Sequence, residues 1–278
     1  MSQAAPAPHI VKVEVGGRTL TLETGKIAKQ ANGAVVARYG DTVVLVTACM
    51  DSKANDRDFL PLTVDYREYT YAAGKIPGGF FKREGRPSER EILTSRMIDR
   101  PLRPLFPEAW RNETQIVAMV LSADSENDPD MIGITAASAA AYISDLPFTT
   151  PIAAVRIGLV EGKMVANPTT AEQKTSLLNI IVVATEEAIV MIEAGAIEVS
   201  EDTVADALQF GHDQVKHIIR AIRELHDQLK PNKVTVPPLP FDEALAAEIE
   251  KKFGAQLHDA LDTKKYPKKE SYLSLIHI

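Results

Sequence analysis

The chain has 278 residues, of which 45% are hydrophobic and 25% charged, and a formal net charge of −7. This composition suits one large folded domain, or one and a half to two ordinary ones, and excludes a disordered chain. A single cysteine, Cys49, excludes an intramolecular disulfide framework and any multi-cysteine metal site.

The N-terminal MSQAAPAPHI lacks the basic and apolar regions of a signal peptide. No apolar run reaches the roughly 20 residues of a membrane helix. A cytoplasmic protein with no membrane contact is expected. Residues 10–23, IVKVEVGGRTLTLE, alternate apolar and polar around Gly16-Gly17, which predicts a β-hairpin. A second pair follows, AVVARY and TVVLVTACM, turning at Gly40-Asp41. Its second strand is nearly all apolar and is expected to be buried on both faces, with Cys49 a buried core thiol. LPLTVDY, 60–66, predicts another strand.

A capping box, Ser88 with Glu91, predicts a helix start, and Pro101 predicts its stop at Arg100. QIVAMVLSA predicts a strand. Pro129 opens a helix whose Ala/Ser-rich composition implies close packing. IAAVRIGLV and KMVAN predict a hairpin around Glu161-Gly162. LLNIIVVATEEAIVMIEAG predicts two core strands joined at Thr185-Glu186-Glu187. A long helix is expected over 200–229, ended by Pro231. PNKVTVPPLP, 231–240, reads as a proline-rich linker. A helical unit is expected over 241–272. The order of elements predicts an α+β or mixed α/β domain over 1–230, followed by the start of an all-α domain.

Charge is unevenly placed. Residues 82–111 carry eight Lys/Arg against five acids, a local +3, which leaves the remainder at −10. An acidic body with one basic segment implies a local anion site. Arg96 and Arg100 are four apart on one helical face, and Arg103 follows the proline. Guanidinium forks match phosphate oxygens in shape and charge. The alternative is that these arginines pair with Glu91, Asp99 and Glu108.

Residues 78–86, GGFFKREGR, raise a second question. Phe80 and Phe81 cannot share one core face from a strand, and the paired glycines disfavour a helix. Aromatic rings beside cations on a loop form a platform for unstacked bases, with Lys82 and Arg83 holding the backbone. The alternative is one phenylalanine in the core and one in an oligomer contact. Together, loop and arginine helix favour single-stranded nucleic acid.

Other motifs are weaker. DSENDPDM, 124–131, puts Pro129 where a calcium loop needs glycine. His212, His217 and His226 are badly spaced to share a metal. No GxGxxG, P-loop, GxSxG or HExxH occurs.

GGFFKREGRPSEREILTSRMIDRPLRPLFP resembles the first RNase PH-like domain of the polynucleotide phosphorylase (polyribonucleotide nucleotidyltransferase) family. GDTVVLVTACM, DFLPLTVDYREYTYAAGKIPGG and MIGITAASAAAYISDLPF extend the resemblance, which runs from about Val11 to Leu229 and into the helical unit. It implies an RNase PH-like (ribosomal protein-like β-α-β) fold and a ring-shaped homotrimer. The implied activity is phosphorolytic 3′-to-5′ exoribonuclease action in mRNA degradation, with possible RNA-degradation assembly partners. Inorganic phosphate is the co-substrate, and nucleoside diphosphates leave single-stranded RNA with Mg²⁺ or Mn²⁺ assisting.

By the same resemblance, Phe80, Phe81, Lys82 and Arg83 line the RNA pore, Lys82 standing where arginine is commoner. Arg96, Arg100 and Arg103 sit at the active-site margin. The family keeps its phosphate-binding serines and its catalytic Asp and Lys in a second RNase PH-like copy, expected beyond residue 278. No residue of this chain is expected to bind metal. Asn127-Asp128-Pro129-Asp130 puts carboxylates where phosphate would need hydroxyls, and VVATEEAIVM lacks an Asp-x-Lys pair. A non-catalytic RNase PH-like channel scaffold of an exosome-type ring is the alternative, disfavoured by the helical unit. The final LSLIHI, 273–278, fits no helix begun by KKYPKKESY and matches the translation of a transposon-end adaptor. It is expected to be non-native, with the gene continuing.

Overall fold

The computed structural model describes residues 7–78 and 84–277. Two antiparallel hairpins open it: β1 (His9–Val15) with β2 (Arg18–Thr24), and β3 (Gly33–Tyr39) with β4 (Thr42–Ala54). Both turns fall on the glycines that the alternation marks, each at positive φ. β5 (Leu62–Arg67) leads through a 3-10 turn (Thr70–Ala73) to helix α1 (Glu89–Leu102), and then to β6 (Asn112–Ser122). β5 and β6 pair in parallel, which is possible because α1 supplies the crossover. The resulting six-stranded mixed sheet has the order β1-β2-β3-β4-β6-β5.

Helix α2 (Pro129–Ile143) is buried nearly all round. It packs on β3, β4 and β6, and also on β7 (Ala153–Val160) of a second sheet. That sheet, with β8 (Lys163–Ala166), β9 (Leu178–Ala184) and β10 (Ile189–Ala196), is antiparallel in the order β10-β9-β7-β8. Small side chains let α2 approach closely. A Cβ on Gly33 of β3 would stand 2.1 Å from the Ala140 carbonyl oxygen. The hydroxyls of α2 face strand backbone: Ser138 Oγ accepts from Ile152 N at 2.8 Å and Thr135 Oγ1 from Ala154 N at 3.1 Å. After the short helix α3 (Thr170–Thr175), which the sequence reading lacks, comes helix α4 (Glu201–Leu229). It is capped by Ser200 and packs on β1 and on β7, β8 and β9. The two helices thus bridge both sheets around one core.

Several expectations need correction. Pro101 does not stop α1, which runs to Leu102. Proline removes one backbone bond and crowds the carbonyl four residues back, and the helix lasts one residue more before the 3-10 turn Arg103–Leu105 takes over. β4 is buried on both faces only at its start and alternates afterwards, leaving Cys49 half-buried rather than in the core. β10 is a largely exposed edge strand rather than a core strand, because only β9 flanks it.

The chain divides into two compact units, residues 1–236 and 237–278. The start of the proline-rich segment packs on the first unit, where Val234 N donates to Asp145 O at 2.8 Å. The second unit pairs helix α5 (Glu243–Ala260), capped by Asp242, with helix α6 (Lys268–His277). α6 runs through residues 273–277, where no helix is expected from the sequence. Among the described residues no helix is long and apolar enough to cross a membrane.

Candidate nucleic-acid interface and active-site margin

Helix α1 carries the expected arginines, and its start is built as the sequence requires. Ser88 Oγ accepts from Glu91 N at 3.3 Å, while Glu91 Oε2 accepts from Ser88 N at 2.6 Å. The buried Glu91 carboxylate also accepts from Glu68 N at 2.9 Å, tying α1 to the end of β5. Burial works to raise its pKa, but these bonds and Arg67 hold it below the ordinary range.

The three arginines differ in their partners. Arg103 is committed internally: Nε and Nη2 grip both Asp99 oxygens at 3.0 and 2.6 Å. Its Nη1 and Nη2 reach the Leu60 and Leu62 carbonyls at 3.0 and 2.9 Å. Such a guanidinium buttresses the entry of β5. Arg100 Nη1 pairs with Glu193 Oε1 of β10 at 2.6 Å, with both side chains substantially exposed. Arg96 is exposed and makes no ion pair among the described residues. Asp99, one of the alternative partners, is thus realised, while Glu91 and Glu108 do not pair with these three arginines among the described residues.

Phe80, Phe81, Lys82 and Arg83 lie outside the described residues. The segment just beyond them is anchored to β5 and its 3-10 turn. Arg67 Nη2 donates to Gly85 O at 3.1 Å, and Thr70 N donates to the Glu84 carboxylate.

What the structure does bring together is a different set of arginines, at the N-terminus of α2. Arg18 from β2, Arg90 from α1 and Arg156 from β7 meet the segment 124–130. Arg18 Nη1 donates to Asn127 Oδ1 at 2.6 Å, and Arg90 Nη2 to Asp128 Oδ1 at 3.2 Å. Arg156 Nη2 reaches Asp130 Oδ2 at 2.5 Å, while its Nη1 donates to Asn179 Oδ1 at 2.7 Å. Burial pushes the Asp130 carboxyl up, against the pull of Arg156. Asp124 organises the loop by accepting from Asn127 N, Glu126 N and Asp41 N. Burial works to raise its pKa, but these bonds lower it to about 2.

A helix N-terminus attracts anions, and here the chain supplies its own. Asp128 and Asp130 put two carboxylates at that N-terminus, paired with Arg90 and Arg156. The same pairing commits the Asp128 and Asp130 carboxylates to arginines. Among the described residues no group of three or more His, Cys, Asp or Glu side chains is placed to hold a metal ion. Arg18 and Arg156 are absent from the sequence expectations. The available signal was Arg156 itself, a lone cation inside the apolar strand IAAVRIGLV.

Comparison with known proteins agrees with this architecture. The sequence model described as "3′ exoribonuclease family, domain 1" matches residues 16–147, and that for "domain 2" matches residues 150–214. The polyribonucleotide nucleotidyltransferase of Koribacter versatilis (strain Ellin345) is 56% identical over 275 residues, which are 98% of this chain and 34% of that protein. That of Solibacter usitatus (strain Ellin6076) is 58% identical over 266 residues, 95% of this chain and 38% of that protein. The chain thus spans about a third of the length of these relatives.

Among solved structures, an archaeal exosome core chain matches with a TM-score of 0.53 at 15% identity, covering 81% of this chain and 86% of that one. Rice (Oryza sativa) Rrp46 matches with a TM-score of 0.59 at 14% identity, covering 81% and 98%. At such identities the likeness is one of fold, here the RNase PH-like fold. The two sequence-model matches take in well over half the residues, and the chain belongs to the 3′ exoribonuclease family.

Proposed function

We propose that this chain is the RNA-guiding part of a phosphorolytic 3′-to-5′ exoribonuclease, a polyribonucleotide nucleotidyltransferase acting in cytoplasmic mRNA degradation. Inorganic phosphate attacks the terminal phosphodiester of single-stranded RNA. A new P–O bond forms, the bond to the 3′ oxygen of the preceding nucleotide breaks, and that oxygen takes a proton. One nucleoside diphosphate leaves, and the RNA ends in a new 3′-hydroxyl.

The observation that carries this reading is 56% identity to a polyribonucleotide nucleotidyltransferase across 98% of the chain. The geometry supports a division of labour. With the start of α2 filled by Asp128 and Asp130, phosphate and the Mg²⁺ or Mn²⁺ of the reaction fall to residues outside this chain. Phe80, Phe81, Lys82 and Arg83 grip the incoming strand. Arg96 and Arg100 contribute charge at the active-site margin, and Arg103 positions the segment that carries them. A homotrimer would gather three such loops around one axis. The helices α5 and α6 favour this reading over a ring-scaffold subunit.

The test is a chimera in which this chain replaces the matching third of the Koribacter versatilis relative. Phosphate-dependent release of nucleoside diphosphates from single-stranded RNA is expected. A soluble, assembled chimera without that activity would overturn the proposal. The chain alone, given RNA, phosphate and Mg²⁺, is expected to release none.

A further inference from the structure

Between β5 and α1 lies a stack of flat groups that neither the arginine helix nor the phenylalanine loop accounts for. The Arg67 guanidinium carbon sits 5.0 Å from the centroid of the Tyr69 ring. Tyr69 in turn stacks on Tyr71, with centroids 5.7 Å apart and planes 19° from parallel. Tyr71 remains 49% exposed.

The backbone that carries the stack is tied at both ends. Tyr71 belongs to the 3-10 turn Thr70–Ala73, closed by Ala72 N to Tyr69 O and Gly74 N to Tyr71 O, both 2.9 Å. Gly74 ends that turn at φ 66°, a conformation open to glycine. Ala123 N reaches Ala72 O at 2.9 Å and ties the turn to the end of β6. At the other end, Arg67 Nε lies 3.4 Å from Glu91 Oε1 of the capping box.

We propose that the exposed face of Tyr71 is a nucleobase-stacking site for single-stranded RNA. The inference rests on the RNA reading above and adds a binding residue to it. Lys75, four residues beyond Tyr71, is exposed and offers a cation to a phosphodiester backbone. With Arg67 at the inner end of the stack, it makes an aromatic face beside cations, the arrangement that takes unstacked bases of any sequence. Ring and cations contribute separately: the ring reads the base, and the cations read phosphates and carry the salt dependence.

The experiment measures binding of the full chain to a ten-nucleotide oligoadenylate and to the same oligomer with abasic sites, across a salt series. Wild type is expected to prefer the oligoadenylate. Tyr71→Ala should weaken that binding by about tenfold and reduce the preference to the same extent, with the salt slope unchanged, and Tyr71→Phe should restore both. A 4-thiouridine photocrosslink on wild type should map to Tyr71, which frees the test from any effect of the substitution on folding. Wild-type binding with no loss in Tyr71→Ala and no crosslink at Tyr71 would overturn the inference while leaving the RNA reading intact. Absence of any RNA binding by wild type would overturn both. Concentration-dependent self-association removed by Tyr71→Ala, with RNA binding unaffected, would mark the ring as a protein contact and also overturn it.

Discussion

The Nη2 atom of Arg156 lies 2.5 Å from Oδ2 of Asp130, which joins β7 to the first turn of α2 through two buried charges. Neither partner is easily removed alone. Asp130→Ala would leave the Arg156 cation buried with only Asp128, at 3.8 Å, to answer it. A loss of about 3–5 kcal/mol is expected in urea unfolding. Replacing both residues with methionine should recover most of that loss, since the pair is costly to bury even when matched.

The same geometry predicts a gain. With Asp128→Ser and Asp130→Ser together, the N-terminus of α2 would face Arg90 and Arg156 without its own carboxylates. Such a variant, if folded, should be stabilised by millimolar phosphate in thermal unfolding, whereas wild type should not respond. Equal responses would show that the native carboxylates do not occupy the anion position.

The arginines of α1 separate into structural and exposed classes. Arg103→Lys keeps the charge but loses the two-oxygen grip on Asp99 and the carbonyl contacts to β5. It should cost about 1–2 kcal/mol. Arg100→Ala breaks one exposed pair with Glu193 and should cost under about 1 kcal/mol. In the chimera, loss of activity by Arg100→Ala without loss of stability would mark Arg100 as a functional contact.

Stability should depend on pH at both ends. Asp124 binds its proton far less readily when folded than when unfolded. Its contribution, about 1–2 kcal/mol allowing for partial exposure, is present above pH 4 and lost as the pH falls toward 2. At alkaline pH, burial lowers the folded pKa of Lys233 to about 8. The unfolded state then holds more protons than the folded one, and so stability should rise from pH 8 toward 10. Above pH 10 the trend should reverse, because burial raises Tyr39 and Tyr66 and only the unfolded chain ionises them readily. Chemical denaturation between pH 7 and 11 would show the maximum, and Lys233→Met should remove its rising limb.

Local signals carried most of the fold. Glycine turns, the Ser88–Glu91 box and Pro129 place their elements within a residue or two, because each acts through bonds to its immediate neighbours. Burial was harder to read. An apolar sequence such as IVMIEAG in β10 reports β propensity, while its exposure depends on having no outer neighbour in the sheet. The basic segment could be seen by counting charges, yet the fates of its arginines depend on partners far along the chain, such as Glu193. The cluster at α2 was hidden for the same reason: Arg18, Arg90 and Arg156 are scattered over 139 positions and meet only through the fold.

The packing of α4 on β1 ties the last helix of the first unit to its first strand, and His9 Nδ1 even lies 3.2 Å from Gln228 Oε1. During synthesis, β1 therefore leaves the ribosome some 200 residues before its covering helix. At about 5–20 residues per second, its apolar face stays uncovered for roughly 10–40 s. Over that interval the nascent chain offers the apolar face of its first strands to any neighbouring apolar surface.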